Sequence, residues 1–336
     1  MILPKYSVAI RTLGTAGEKF RIELESIGRQ TVLPEKVIVY VAESTGVKFH
    51  DDCFCGEKYV YVPKGMVAQR ALDYGDVDSD YLLLLDDDVE LAPDSAEKML
   101  KAMVEKDADC VGADIFENHN MSKTEKAWAI VTNLVCPHFN KEWGLKIHAN
   151  GSYSYLSKVK GLHLVPTQKL DGPCVMWKKD VIQRLRWKDE LWMDHLSEFA
   201  YGDDTVESYK LHVNGGKLWL MYDCGVTYLN AKTASTSYHH THKKYYVRSL
   251  MSFCIWWRTI YEVECELKQR NLPAMFGKGY VVFAFCLKWL WLLLVNTIAI
   301  VLLMDIHIPY YYIKGTKDGW KFVHSQKYKA LHGYMI

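Results

Sequence analysis

One short segment constrains the fold more than any other: five apolar residues followed directly by three aspartates. The apolar run is Tyr81–Leu85, and the aspartates occupy positions 86–88. A continuous apolar run of this length fits a strand that is buried on both faces, as in a parallel sheet covered by helices. Ligand-binding groups in open α/β sheets cluster at the carboxyl ends of strands. The segment therefore predicts an α/β fold and marks a candidate site at the end of this strand.

The surrounding sequence alternates between strand and helix patterns. Strands rich in β-branched or apolar residues are predicted over 7–10, 36–41, 58–62 and 217–222. Helices are predicted over 15–29 and 67–74. Such alternation favours an open α/β sheet. The 336 residues are enough for two domains, or for one α/β domain with an appendage.

The composition limits the class of binding partner and indicates the cellular compartment. The net charge of +1 argues against a global nucleic-acid footprint. The nine cysteines are scattered rather than spaced as a disulfide framework, which predicts reduced thiols. No charged start followed by a sustained apolar run opens the chain, so we expect the N-terminal part to stay in the cytosol.

The last hundred residues differ from the rest and predict contact with a membrane. Val281–Met304 is interrupted only by Lys288 and Asn296 as strongly polar positions, and a membrane helix needs about 20 predominantly apolar residues. A long interfacial or core helix is the alternative, and whether the helix spans, re-enters or lies on the membrane stays open. The predicted organisation is a catalytic domain, a basic and aromatic membrane-surface segment, a hydrophobic membrane helix and a basic tail, over 1–240, 241–278, 279–313 and 314–336.

The three aspartates favour a divalent cation. Adjacent carboxylates repel one another unless a cation or protons compensate them. In an extended segment Asp86 and Asp88 point the same way and Asp87 points the other way. Such a pair suits Mg²⁺ or Mn²⁺, which keep coordination positions open for substrate phosphates. The alternative is a solvated acidic turn, which rarely follows five buried apolar residues.

Six short motifs stand in a fixed order along residues 5–230. They are Ser7–Thr12, Ser26-Ile27-Gly28-Arg29-Gln30-Thr31, Gly65-x-x-x-x-Arg70, Asp86-Asp87-Asp88, Gly172-Pro173-Cys174-Val175-Met176 and Tyr201-Gly202-Asp203-Asp204. In this order the chain resembles the family 2 inverting glycosyltransferases with the GT-A fold. Each motif alone is weak, whereas six in sequence are specific. The resemblance implies transfer of a sugar from a nucleotide-diphosphate sugar.

The resemblance also implies roles for individual residues. Asp88, assisted by Asp86, would hold Mg²⁺ or Mn²⁺, and Asp204 would be the catalytic base, with Asp203 as the runner-up. The residues implied in donor binding are Arg11, Thr12, Glu43, Arg70, Asp86, Asp87 and Arg248. Helix capping is the alternative role for the Asp203-Asp204 pair. For Arg248 the alternative is a basic position on a membrane-surface helix.

Two further patterns received different interpretations. Gln183–Trp187 spells the Gln-x-x-Arg-Trp signature of processive polysaccharide synthases. It precedes Asp204 instead of following the base motif, so we interpret it as coincidence and expect one sugar to be added per acceptor. The histidines at 239, 240 and 242 are as compatible with a metal ligand as with a partly ordered loop.

The leading hypothesis is a membrane-associated glycosyltransferase at the cytosolic face of the cell membrane. Its acceptor would be a lipid-linked or growing surface glycan, as in polysaccharide biosynthesis. One alternative is a metal-dependent nucleotidyltransferase, which would also use paired carboxylates. The other is a non-catalytic membrane protein that binds sugar nucleotides, against which the intact Asp86, Asp88 and Asp204 argue.

Overall fold

The structure is a computed structural model that describes residues 3–51, 53–116, 122–135, 140–156, 159–161, 163–197, 201–230, 243–303 and 307–336. The strands are β1 Tyr6–Thr12, β2 Val37–Ala42, β3 Glu57–Val62, β4 Tyr81–Asp86, β5 Val89–Leu91, β6 Cys110–Ala113, β7 Leu145–Ile147, β8 Tyr153–Tyr155, β9 Leu164–Pro166, β10 Cys174–Lys178, β11 Leu218–Met221 and β12 Val226–Tyr228. The α-helices are α1 Glu18–Gly28, α2 Ser95–Glu105, α3 Lys123–Asn133, α4 Lys179–Leu185, α5 Trp192–Leu196, α6 Asp203–Val213, α7 Lys243–Trp256, α8 Glu262–Gln269, α9 Lys278–Leu303, α10 His307–Val323 and α11 Gln326–Lys329.

The central sheet has eight strands in the order β3-β2-β1-β4-β10-β6-β11-β9. Strands β1 to β4 pair in parallel, whereas β10 is antiparallel to both of its neighbours and β9 is antiparallel to β11. The expected α/β sheet is therefore present, but it is mixed instead of parallel. The strand order reverses between β1 and β4, and the crevice beyond such a reversal is where open α/β sheets bind ligands.

Strand β4 is buried on both faces, as its apolar run predicts. Leu82 and Leu84 belong to one hydrophobic core, and Leu83 and Leu85 belong to the other. Helices α1 and α2 cover the second core, whereas α4, α6, α7 and α8 cover the first. The predicted strands over 7–10, 36–41, 58–62 and 217–222 and the helix over 15–29 each correspond to an observed element.

The helix predicted over 67–74 is wrong. Residues 66–70 form turns, in which the amide of Gln69 donates to the carbonyl of Gly65 and the amide of Ala71 donates to that of Val67. The Asp194 carboxylate accepts the amides of Val67 and Ala68 at the start of these turns. Tyr74 adopts a left-handed backbone conformation, which a continuous helix to that residue would not allow. A Cβ on Gly65 would lie 2.3 Å from an Asp194 oxygen, so glycine is required there.

The C-terminal helices pack on the first core. Gly315 and Gly319 let α10 approach α7 closely, since a Cβ on Gly315 would lie 2.3 Å from the carbonyl oxygen of Tyr246. The predicted hydrophobic stretch over 279–313 falls in two helices, α9 and α10. Among the described helices, α9 is long and apolar enough to cross a membrane: Lys278–Ile298 has a mean hydropathy of 2.0 and is 6% buried.

Candidate active site

Two neighbouring strands bring the first charges of the site together. Arg11 on β1 and Asp86 on β4 are register partners at the carboxyl ends of parallel strands. Arg11 Nε lies 2.5 Å from Asp86 Oδ1, and Arg11 Nη2 lies 3.3 Å from Oδ2. Burial alone would lower the pKa of Arg11, but Asp86 and Asp203 outweigh it and the pKa is raised. The charge on Arg11 is therefore permanent in the folded protein.

Arg70 holds Asp86 from the other side. Its Nη2 donates to Asp86 Oδ1 at 2.8 Å and to the carbonyl oxygen of Gly172 at 2.5 Å. A Cβ on Gly172 would lie 2.4 Å from the guanidinium, so a glycine is needed where Arg70 crosses this backbone. Burial would raise the pKa of Asp86, but Arg11 and Arg70 together lower it. Arg70 is buried behind Asp86, in a position to orient that carboxylate.

The first turn of α6 faces this strand edge. Gly202, in the left-handed region, precedes the helix. Asp203 Oδ2 accepts from Arg11 Nη1 at 2.8 Å, so one arginine bridges Asp86 and Asp203 across 117 residues of sequence. Asp204 Oδ1 accepts from the Thr205 amide at 2.7 Å. The N-cap position is occupied by Gly202 and, within the described chain, no side chain caps the helix start, so the capping alternative for Asp203 and Asp204 is wrong. Asp204 lies in the first turn and lines a cavity.

A buried lysine contacts the other oxygen of Asp204. Lys169 Nζ lies 3.0 Å from Asp204 Oδ2 and 2.8 Å from Asp171 Oδ1, and it also lies over the ring of Tyr153. Burial would lower the pKa of Lys169, but Asp171 and Asp204 raise it. Lys169 therefore remains an ammonium that fixes the Asp204 carboxylate.

The remaining aspartates form a turn after β4, so the alternation of an extended strand stops at Asp86. Thr12 Oγ1 donates to Asp87 at 2.5 Å. Burial, together with the charges of Asp86 and Asp88, raises the pKa of Asp87 to about 7. Asp88 accepts a hydrogen bond from the hydroxyl of Tyr228. Burial, and then the charge of Asp88, raise the pKa of Tyr228.

These residues fit a divalent cation that completes its shell with substrate phosphates. Burial and then the charge of Asp87 raise the pKa of Glu23, and its buried Oε1 has no hydrogen-bond partner among the described residues. Within the described ranges, no group of three His, Cys, Asp or Glu side chains forms a metal cage. Mg²⁺ is commonly bound by only one or two carboxylates plus substrate phosphates. Asp88 and Asp86 can supply those carboxylates, next to an excess of negative charge.

The site residues surround a cavity of about 620 Å³. Its walls include the predicted residues Arg11, Asp86, Asp203, Asp204 and Arg248. The other predicted residues, Thr12, Glu43, Arg70, Asp87 and Asp88, are not among its lining residues. Glu43 is exposed in a 3₁₀ turn after β2. The histidines at 239, 240 and 242 lie outside the described residues.

Several cavity residues were missed by sequence reasoning. Lys169, Asp171 and Tyr228 stand in no motif. Lys169 contacts Asp204, 35 residues away, and Tyr228 contacts Asp88 in the turn after β4. Lys288 was noted only as an interruption of an apolar run. Its isolation within that run was the available signal that it has a polar environment.

The model of the family described as Glycosyl transferase family 2 matches residues 59–156, which include Arg70 and the three aspartates. The resemblance to family 2 glycosyltransferases is confirmed. The family match also confirms the expected enzyme class. No curated protein matches the sequence.

Solved structures of glycosyltransferases resemble the chain at low identity. A mannosyltransferase from Pyrobaculum calidifontis, in complex with GDP-Man and Mn²⁺, is 12% identical over 95% of this chain and 88% of its own, with a TM-score of 0.46. S. aureus TarS 1–349, in complex with UDP-GlcNAc, is 12% identical over 97% of this chain and 83% of its own, with a TM-score of 0.48. GalNAc-T7 with UDP, GalNAc and Mn²⁺ is 11% identical over 81% of this chain and 56% of its own, with a TM-score of 0.48.

Proposed function

We propose that this glycosyltransferase moves a sugar from a nucleotide-diphosphate sugar to a membrane-bound acceptor, with inversion at the anomeric carbon. One observation carries the proposal: Arg11 joins Asp86 of the metal motif to Asp203 of the base motif in a single cavity. That cavity lies where the strand order reverses, which is the expected place for a nucleotide. Donor and acceptor chemistry would therefore meet in one space.

On the donor side, Asp88 and Asp86 would hold Mg²⁺ or Mn²⁺. When bound, such an ion neutralises negative charge that develops on the diphosphate leaving group. Arg11 adds a permanent positive charge beside it, and Arg70 keeps the Asp86 carboxylate in a fixed orientation. Pre-oriented charges of this kind stabilise a transition state without reorganising during the reaction.

On the acceptor side, Asp204 would take the proton of the attacking hydroxyl. Inversion requires one base on that side, and the base must be held within hydrogen-bond reach of the hydroxyl. Lys169 and the Thr205 amide fix the Asp204 carboxylate, and its side chain is 23% exposed. Asp203 is less accessible and is paired with Arg11, which makes it the second choice.

The membrane part of the proposal rests on α9. Its exposed side carries six large apolar residues at a spacing of three or four, each between 48% and 63% exposed. We call these residues the α9 ridge: Tyr280, Phe283, Leu287, Leu290, Leu294 and Ile298. An exposed apolar patch of this size is typical of a membrane or partner surface. A lipid-linked or surface-glycan acceptor at the cytosolic face would then lie close to the cavity.

The proposal is tested with purified full-length protein and a panel of UDP-, GDP- and dTDP-sugars. We expect Mn²⁺-dependent hydrolysis of at least one donor, and loss of that hydrolysis in EDTA. Release of pyrophosphate from a sugar phosphate and a nucleoside triphosphate would instead identify a nucleotidyltransferase. Binding of a donor without any turnover, with or without lipid extracts, would leave only the non-catalytic alternative.

A further inference from the structure

The cavity contains two kinds of cation. Arg11 and Lys169 each pair with two carboxylates. Arg248 on α7 and Lys288 on α9 also line the cavity, but among the described residues neither has a carboxylate within 4.0 Å. The polar contact of Lys288 is a long one, from Nζ to the carbonyl oxygen of Asn150 at 3.5 Å. The helical wall of the cavity therefore carries positive charge that the described protein does not neutralise.

Partial burial of the Lys288 ammonium costs free energy unless an opposite charge lies beside it. Lys288 is half-buried on a helix whose other residues nearby are almost all apolar. Removing a charged group from water without a compensating charge is strongly unfavourable. A ligand that carries negative charge into the cavity would supply that compensation.

The two faces of α9 connect this charge to lipid. The α9 ridge is exposed. On the opposite side of the helix, the ring of Phe285 stacks on that of Trp256. The indole Nε1 of Trp291 donates to the carbonyl oxygen of Val131. These contacts hold the middle of α9 against the catalytic part of the chain. A helix with its side chains is about 10–12 Å wide. A lipid lying beside the ridge would therefore be about one helix width from Lys288.

We propose that Arg248 and Lys288 bind the phosphate of a lipid-phosphate acceptor while the α9 ridge contacts the surrounding membrane. The proposal rests on the proposed function, whose acceptor class it makes specific. The guanidinium of Arg248 matches a phosphate with two parallel hydrogen bonds, and Lys288 adds a compact charge. This role replaces the donor contact that the resemblance implied for Arg248. With the donor diphosphate at the strand edge, as in the proposed function, the two anionic groups would occupy opposite walls of the cavity.

The test measures binding of farnesyl phosphate to the full chain by titration calorimetry in neutral detergent. Farnesol and inorganic phosphate are the comparison ligands. A charge-assisted hydrogen bond is worth about 1.5–3 kcal/mol, so Lys288→Met should weaken farnesyl phosphate binding by about 10- to 100-fold. Arg248→Met should weaken it similarly, and Lys288→Arg should restore most of the affinity. Lys317→Met, an exposed position on α10 outside the cavity, is the matched control and should bind like the wild type.

Wild-type affinity in both Lys288→Met and Arg248→Met would overturn the proposal. Equal affinity for farnesol would show that the site is not anionic in its preference, and equal affinity for inorganic phosphate would show that it is not lipid-selective; either result contradicts the assignment. The titration contains no donor, so it is independent of catalysis. Failure to turn over any nucleotide sugar would contradict the proposed function without altering this binding result.

Discussion

The two walls of the cavity handle charge in opposite ways. At the strand edge, Arg11 and Asp86 are buried or half-buried and bonded to each other, and Arg11 also reaches α6. At the helical wall, Arg248 and Lys288 have no carboxylate partner among the described residues. The strand edge is thus a preassembled network, whereas the charge of the helical wall would be neutralised by the ligand that we propose.

This difference indicates which substitutions will affect chemistry and which will affect binding. Removing one member of a paired network leaves its partner uncompensated, so the loss is large. Removing a cationic side chain that has no carboxylate partner should lower only the affinity for an anionic ligand. The following variants test the network side, from the largest expected effect to the smallest.

Asp88→Ala should abolish turnover while the protein remains folded. The substitution removes the carboxylate that we assign to the metal, and Lewis-acid stabilisation is worth several kcal/mol. Donor hydrolysis with added Mn²⁺ measures the effect, and the melting temperature checks the fold. Full activity of this variant, or of the wild type in EDTA, would contradict the metal assignment.

Asp204→Asn should lower kcat by about 10²–10⁴-fold, because general base catalysis contributes that amount. The amide preserves shape but cannot accept the proton, so donor affinity should change little. Single-turnover transfer to an acceptor measures the step. Asp203→Asn is the comparison: if it is the inactive variant and Asp204→Asn is active, the base has been assigned to the wrong residue.

Glu190→Gln should destabilise the contact between the catalytic part and the C-terminal helices. Glu190 is fully buried between Lys210 at 3.1 Å and Arg258 at 3.0 Å. Burial would raise the pKa of Glu190, but Arg258 and Lys210 lower it, so its stabilising charge is lost only as pH falls below the usual carboxyl range. Losing the Glu190 charge at neutral pH should lower the free energy of unfolding by about 3–5 kcal/mol and Tm by about 5–10 °C.

The control for that variant is Glu97→Gln, which removes an exposed pair with Lys101. It should leave Tm unchanged within error, since exposed ion pairs contribute little. An equal effect of both substitutions would show that the buried cluster does not join the two regions.

Glu207→Gln should change the pH dependence of stability. Burial raises the pKa of Glu207 to about 8, although Arg70 opposes the shift. Because the folded pKa lies above the unfolded one, the wild type loses stability as pH rises between about 4.5 and 8. Between pH 5.5 and 7.5 it should lose about 2 kcal/mol relative to Glu207→Gln. Parallel unfolding curves of the two proteins over this range would contradict the shift.

Sequence reasoning succeeded where the signal is local. The apolar run before Asp86 predicted a strand buried on both faces, which is observed as β4. It failed over 67–74, where the apolar spacing is helical but the chain forms turns and Tyr74 adopts a left-handed backbone conformation. The antiparallel pairing of β10 with β4 could not be predicted either, because the direction of a strand depends on the topology of the whole sheet.

In the candidate site, too, residues in local motifs were predicted and residues that depend on tertiary contacts were not. Arg11, Asp86, Asp203 and Asp204 stand in motifs, and the structure brings all of them to one cavity. Lys169 has no motif, because its contact with Asp204 exists only in the folded chain. Residues that act through tertiary contacts leave no periodic or spaced pattern in a single sequence.

The most direct test of the account is a structure of the full chain with Mn²⁺ and the donor nucleotide that it hydrolyses. We expect the diphosphate at the carboxyl ends of β1 and β4, with the metal bound by Asp88 and with Arg11 beside the phosphates. The helical wall at Arg248 and Lys288 should remain open for the acceptor. A nucleotide bound against α7 and α9, or outside this cavity, would contradict the division of the site into a donor edge and an acceptor wall.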